Sequence, residues 1–227
     1  MKLLAFDTSA SACSVALLNG EKITALHHVA PMQQASLILS MLQQILDTAG
    51  VSLQALDMIA YGCGPGSFTG IRLASAVAQG LGFAYSLPIM PISSLAASAQ
   101  AAFMAHQYKW PQLLVAVDAR MGDVYWAAYA KHLSSDHVTL IGQEHLYKPE
   151  SVIIPTSSGL DPSHWYGIGD AWKQYKSPMT LALAIEPCAY SIEQQPTAEA
   201  ILTLAKAKLV RGERGVQATD AIPVYLR

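Results

Sequence analysis

Hydrophobic and polar positions alternate in short runs at the start of the chain. Leu3–Phe6 is apolar and stops at Asp7-Thr8-Ser9, and a second apolar run covers Cys13–Leu18. Asn19-Gly20, a strong signal for a tight hairpin, joins it to a third strand from Lys22 to Val29. The chain therefore opens with a β-meander. The period then changes. Pro31 precedes a helical pattern from about Met32 to Ala49, which Gly50 stops. Asp57–Tyr61 reads as a strand that runs into GCGPGSFTGIRL, Gly62 to Leu73. Ser67 is placed to cap a helix through about Tyr85. A short strand follows between Pro88 and Pro91, and Ser93 or Ser94 caps a third helix to about His106.

At Leu113 the pattern restarts. Leu114–Arg120 echoes Leu4–Ser9, and Asp123–Tyr129 echoes Ser14–Leu18. A repeat this long implies two similar lobes rather than a solenoid. The expected division is an N-terminal lobe over 1–108 and a smaller C-terminal lobe over 109–227. Each lobe begins with an antiparallel meander and continues into alternating helices and strands, an α/β fold. A final helix at Ala198–Val210 is expected to pack back on the first lobe.

The first two helices are apolar over more than one face, whereas a surface helix normally keeps a charged one. Between Ile23 and Tyr108 the only Asp, Glu, Lys or Arg residues are Asp47, Asp57 and Arg72. One stripe of each helix has its own sheet to cover. The rest needs a further helix of the chain or another protein. Ala35, Ile38, Leu39, Leu42 and Leu46 in the first helix, with Ile71, Ala74, Ala78 and Leu81 in the second, are the residues expected at such an interface.

Composition sharpens this picture. Apolar residues make up 52% of the chain and charged residues 13%, about half the usual charged share. The net charge of −2 offers no basic surplus for nucleic-acid binding. Cys13, Cys63 and Cys188 are isolated, with no metal-ligand spacing and no disulfide framework. No run reaches the roughly 18 apolar residues needed to span a bilayer, and the N-terminus reads as a strand rather than a signal peptide. A cytoplasmic location is expected.

The candidate chemistry is sparse. Gly62–Leu73 resembles a phosphate cradle, yet it has no lysine in the P-loop register and fails the GxGxxG and GxSxG patterns. Ser67 reads as a cap rather than a nucleophile. Backbone N–H groups at such a helix start still favour an anion. Asp7, Thr8 and Ser9 are therefore kept as a degenerate nucleotide contact, with Asp118 as the counterpart in the repeat. His27, His28, His106, His132, His137, His145 and His164 form neither HxxxH nor HExxH, so no metal site is expected.

GPGSFTGIR (Gly64–Arg72), VDARMGDVYWAAY (Val117–Tyr129), LAFDTSASACSVAL (Leu4–Leu17) and PVYLR (Pro223–Arg227) together resemble the TsaB (YeaZ) family along essentially the whole chain. The resemblance implies an actin-like ATPase, ribonuclease-H-like fold. It also implies a non-catalytic subunit required to place N6-threonylcarbamoyladenosine next to the anticodon of tRNAs that read codons starting with A. The implied partners are the transferase TsaD, which carries the metal-binding histidines, and the ATPase TsaE, with tRNA reached through the complex. ATP or ADP is implied only within that complex. Pairing with TsaD, or with a second copy, is implied through a bundle of the first two helices, here about Pro31–Ala49 and Ser67–Tyr85. Where relatives often carry a histidine and charges at the start of the first helix, this chain has Met32-Gln33-Gln34-Ala35-Ser36-Leu37. A stand-alone sugar-kinase-like ATPase using Asp7 and Asp118 is the alternative, and a metallopeptidase is a second.

Overall fold

The computed structural model describes residues 1–132, 134–155, 160–161 and 164–227. They form two compact units. Met1–Ala97 and Pro196–Val224 make the first, and Ser98–Gln195 with Tyr225–Arg227 makes the second. The chain thus changes unit near residue 97, rather than at 108, and returns to the first unit at Pro196.

In the first unit β1 (Lys2–Asp7), β2 (Ala12–Asn19) and β3 (Lys22–Val29) form the meander, closed by a turn in which Gly20 takes φ 65°. β4 (Met58–Gly64) pairs in parallel with β1, and β5 (Ile89–Ser93) in parallel with β4. The sheet order is β3-β2-β1-β4-β5. Two helices cover one sheet face. The first, α1 (Gln34–Ala49), buries Ile38, Met41, Leu42, Ile45 and Leu46, a helical stripe. Met32 has φ 65°, a left-handed conformation that a right-handed helix cannot include, so α1 starts two residues later than the sequence pattern suggests. Gly50 ends it at φ 62°.

The second helix, α2 (Phe68–Tyr85), is capped by Ser67 and buries Gly70, Ile71, Ala74, Ser75, Ala78 and Gly82. Both stripes join Leu4, Phe6, Val15, Leu17, Ile59 and Tyr61 in one core. α3 (Ser94–Ala105) follows β5 directly.

In the second unit β6 (Gln112–Arg120), β7 (Asp123–Lys131) and β8 (Val138–Tyr147) repeat the meander. β9 (Tyr166–Ile168) pairs in parallel with β6, and β10 (Tyr190–Ser191) in parallel with β9. The order β10-β9-β6-β7-β8, read from the other edge, matches the first sheet strand for strand. α4 (Ala171–Leu183) lies between β9 and β10 as α2 lies between β4 and β5. The core here is built on Trp126 and Trp172, whose indole N–H groups donate to Ile153 O and Leu114 O. This is the actin-like α/β arrangement, present twice. α5 (Ala198–Val210) packs on β1, β2 and β4 of the first unit. Among the described residues no helix is long and apolar enough to cross a membrane.

Candidate functional site

β1 ends at Asp7, and the sheet buries the residues that follow. Asp7 is 1% exposed, Thr8 0% and Ser9 4%. Asp7 Oδ1 accepts hydrogen bonds from Ser9 N and Ser9 Oγ, both at 2.8 Å. Asp7 Oδ2 lies 3.0 Å from Ser9 Oγ and accepts from Ser94 Oγ at 3.5 Å. Burial pushes the Asp7 carboxyl up to about 6, while the Ser9 and Ser94 hydrogen bonds pull it down.

The glycine-rich turn fits around this loop. A Cβ on Gly62 would overlap the Asp7 carboxylate, and one on Gly70 would overlap the Thr8 carbonyl oxygen. One on Gly66 would come within 2.6 Å of Ser9 O. Gly64, at φ 109°, lies against Val224 O, which a Cβ would meet at 2.7 Å. Hydrogen bonds close the joint. Ser67 N donates to Ser9 O at 2.8 Å, and Thr8 Oγ1 donates to Gly70 O at 2.7 Å. Gly64 N donates to Ser94 Oγ, Gly70 N to Ser67 Oγ and Ile71 N to Ser67 O. An anion cradle needs such N–H groups open. Here the missing side chains make room for Asp7-Thr8-Ser9 of the same chain, and those three residues are turned inward.

The second unit repeats the turn in a more open form. Arg120 N donates to Asp118 Oδ1 at 2.9 Å, the counterpart of the Ser9–Asp7 bond. The Asp118 side chain is 18% exposed, and Asp118 N donates to Asp170 Oδ1. The long repeat in the sequence thus extends to a shared Asx turn at the end of the first strand.

The expected interface residues divide by face. Ile38, Leu42, Leu46, Ile71, Ala74 and Ala78 are buried in the first unit's own core, so that part of the expectation is corrected. They recur at the helical period because their own sheet needs them. Leu81 is half-buried, whereas Ala35 and Leu39 are exposed, Leu39 by 61%. The outward face of α2 carries residues outside the expected set. Phe68 is 61% exposed and Phe83 82%, with Arg72, Ala76 and Gly80 exposed between them. The Arg72 guanidinium sits over the Phe68 ring, 3.3 Å from its centroid. The spacing of Phe68, Arg72, Ala76 and Gly80 at i, i+4, i+8 and i+12 was the available signal for this stripe.

A family model described as TsaD, tRNA N6-adenosine threonylcarbamoyltransferase, matches residues 28–221. The tRNA threonylcarbamoyladenosine biosynthesis protein TsaB of Haemophilus influenzae is 36% identical over all of this chain and 94% of its own length. The Escherichia coli protein of the same name is 35% identical over all of this chain and 95% of its own length. The chain belongs to the TsaB (YeaZ) family. The solved structure of YeaZ from Pseudomonas aeruginosa superposes with a TM-score of 0.88 at 40% identity, covering 99% of each chain. A crystal structure of a Pseudomonas aeruginosa protein described as similar to peptidase YeaZ gives 0.89 at 40% identity over 100% of this chain and 99% of its own.

No group of three or more His, Cys, Asp or Glu side chains is placed to hold a metal among the described residues. Cys13 and Cys63 are buried, Cys188 is exposed, and none of the three is in a disulfide. Burial pushes the Cys13 thiol up to about 12, with the Asp7 charge adding to the shift.

Proposed function

We propose that this chain is a non-catalytic subunit in the biosynthesis of N6-threonylcarbamoyladenosine in tRNA. It acts in the cytoplasm with the transferase TsaD and the ATPase TsaE. The observation that carries this reading is the full-length identity to two proteins named for that pathway. The non-catalytic part is supported by the inward turn of Asp7-Thr8-Ser9, whose hydrogen-bonding groups are engaged by Ser67, Gly70 and Ser94. On this reading the chain needs no cofactor of its own, and ATP or ADP enters only with the complex. The net charge of −2 suits a subunit that reaches tRNA through its partners.

The outward face of α1 and α2 is the pairing surface in this reading. It suits contact with TsaD, and contact with a second copy when the chain is alone. Co-purification with TsaD tests it. The complex should form with the unaltered chain and be lost on Phe83→Asp, a change at an 82% exposed position that leaves the fold intact. A complex that survives Phe83→Asp and Leu39→Asp together refutes the assignment of the face.

A further inference from the structure

The second unit holds a histidine pair that no helical spacing reveals. His132 and His137 stand in the turn between β7 and β8. The strands pair Lys131 with Val138, and His132 N donates to His137 O at 2.8 Å, so the two residues face each other across the hairpin. Directly opposed residues of an antiparallel pair point to the same side of the ladder. The imidazole rings accordingly stack, with centroids 4.6 Å apart and an interplanar angle of 21°. A buried side chain of α3 pins the turn. Gln100 Oε1 accepts from Val138 N at 2.8 Å, and Gln100 Nε2 donates to Asp136 O at 3.0 Å.

Both rings aim one nitrogen at the same point. His132 Nδ1 lies 2.9 Å from Ser135 Oγ, and His137 Nδ1 lies 2.7 Å from it. Ser134 N donates to His132 Nδ1 at 3.3 Å, and Ser134 Oγ lies 3.4 Å from the same nitrogen. His132 Nδ1 therefore presents a lone pair, with its ring proton on Nε2. The Ser135 hydroxyl has one proton and can satisfy one imidazole lone pair at a time. A divalent cation in its place satisfies two. Zn–N bonds run about 2.0–2.1 Å, so each nitrogen closes on that point by under about 1 Å once the Ser135 side chain rotates away. Both imidazoles then ligate in the neutral form, each with its proton on Nε2. Such ligands suit Zn2+ and Cu2+, whereas Ca2+ and Mg2+ take oxygen.

We propose that the β7–β8 turn is a binding site for a divalent transition-metal ion, Zn2+ or Cu2+, held by His132 Nδ1 and His137 Nδ1. The ion clamps the edge strand β8 to β7, and water completes its coordination. HxxxH and HExxH are helical spacings, and this pair is made by a hairpin instead. The site is independent of the proposed role in tRNA modification, so the two readings stand or fall separately.

Calorimetric titration of the full, tag-free chain with Zn2+ tests the proposal, alongside His132→Gln and His137→Gln, each checked for an unchanged thermal melt without metal. The unaltered chain should bind one equivalent. Zn2+ should also raise its melting temperature, because an ion bound only by the folded state stabilises that state. Each variant should bind more weakly, by more than the roughly tenfold that loss of a supporting residue costs, and its melt should not respond to Zn2+. Electron paramagnetic resonance of the unaltered chain with one equivalent of Cu2+ should show coupling to two imidazole nitrogens, and it decides alone where a variant fails to fold. An unaltered chain that binds no Zn2+ overturns the site. So does an equivalent that persists in both variants, or a Cu2+ spectrum with fewer than two nitrogens.

Discussion

The carboxylate of Asp7 lies against the α-carbon of Gly62, in the space that any side chain at residue 62 would fill. That contact explains the first glycine of the turn without a ligand. Gly62→Ala should destabilise the first unit by about 1–3 kcal/mol, the usual scale for overpacking a close-packed interior. Urea unfolding measures the loss. Adding Asp7→Ala should recover part of it, because the two changes share one contact. Strict additivity of the pair would show that the crowding has another source.

The same carboxylate makes stability depend on pH. Asp7 titrates near 3.8 when unfolded and at about 6 when folded. The folded state therefore binds more protons between those values, and stability falls as pH rises through them. Asp7→Asn removes this pH dependence and keeps an acceptor for Ser9 N. The variant should be more stable than the parent at pH 7.5, by up to about 3 kcal/mol, and nearly equal to it at pH 4. Unfolding curves at both values check the sign. A variant less stable than the parent at pH 7.5 would show that the ionised form is the favoured one.

Two glycines of α2 should respond in opposite directions. Gly80 is exposed, with nothing within 4 Å of where a Cβ would stand, whereas a Cβ on Gly70 would meet the Thr8 backbone. Gly80→Ala should raise stability by about 0.5–1 kcal/mol through helix propensity. Gly70→Ala should lower it by about 1–3 kcal/mol, since a backbone oxygen cannot move aside as a flexible side chain can. Thermal melts at one protein concentration compare the two.

Much of this fold was legible in the sequence. The meander, both of the first two helices and the repeat all follow from hydrophobic period and turn residues. Ser67 was legible as a cap because its side chain has one local task, and the structure gives it that task. The second unit was less legible. Pro178 sits inside α4 and Tyr175 breaks its helical geometry, so the helical period there is interrupted. β8 is a sheet-edge strand whose residues are largely half-exposed, and it carries little hydrophobic signal. The glycine turn was ambiguous for a physical reason, since a phosphate and a neighbouring backbone both demand a missing side chain. The helix faces were ambiguous in a similar way. Ile71, Ala74 and Ala78 satisfy the period of an interface and that of a core equally well. Only the placement of the sheet assigns them to the core and leaves Phe68, Arg72 and Phe83 outside.

On the proposed function, this chain supports threonylcarbamoyl transfer without performing it. Reconstitution with purified TsaD, TsaE, tRNA, ATP and the threonylcarbamoyl donor tests it most directly, with modified adenosine measured by mass spectrometry. Product should form only when this chain accompanies TsaD and TsaE, with none from this chain alone and full product with Asp7→Asn. Modified adenosine formed by this chain alone and lost in Asp7→Asn would contradict it.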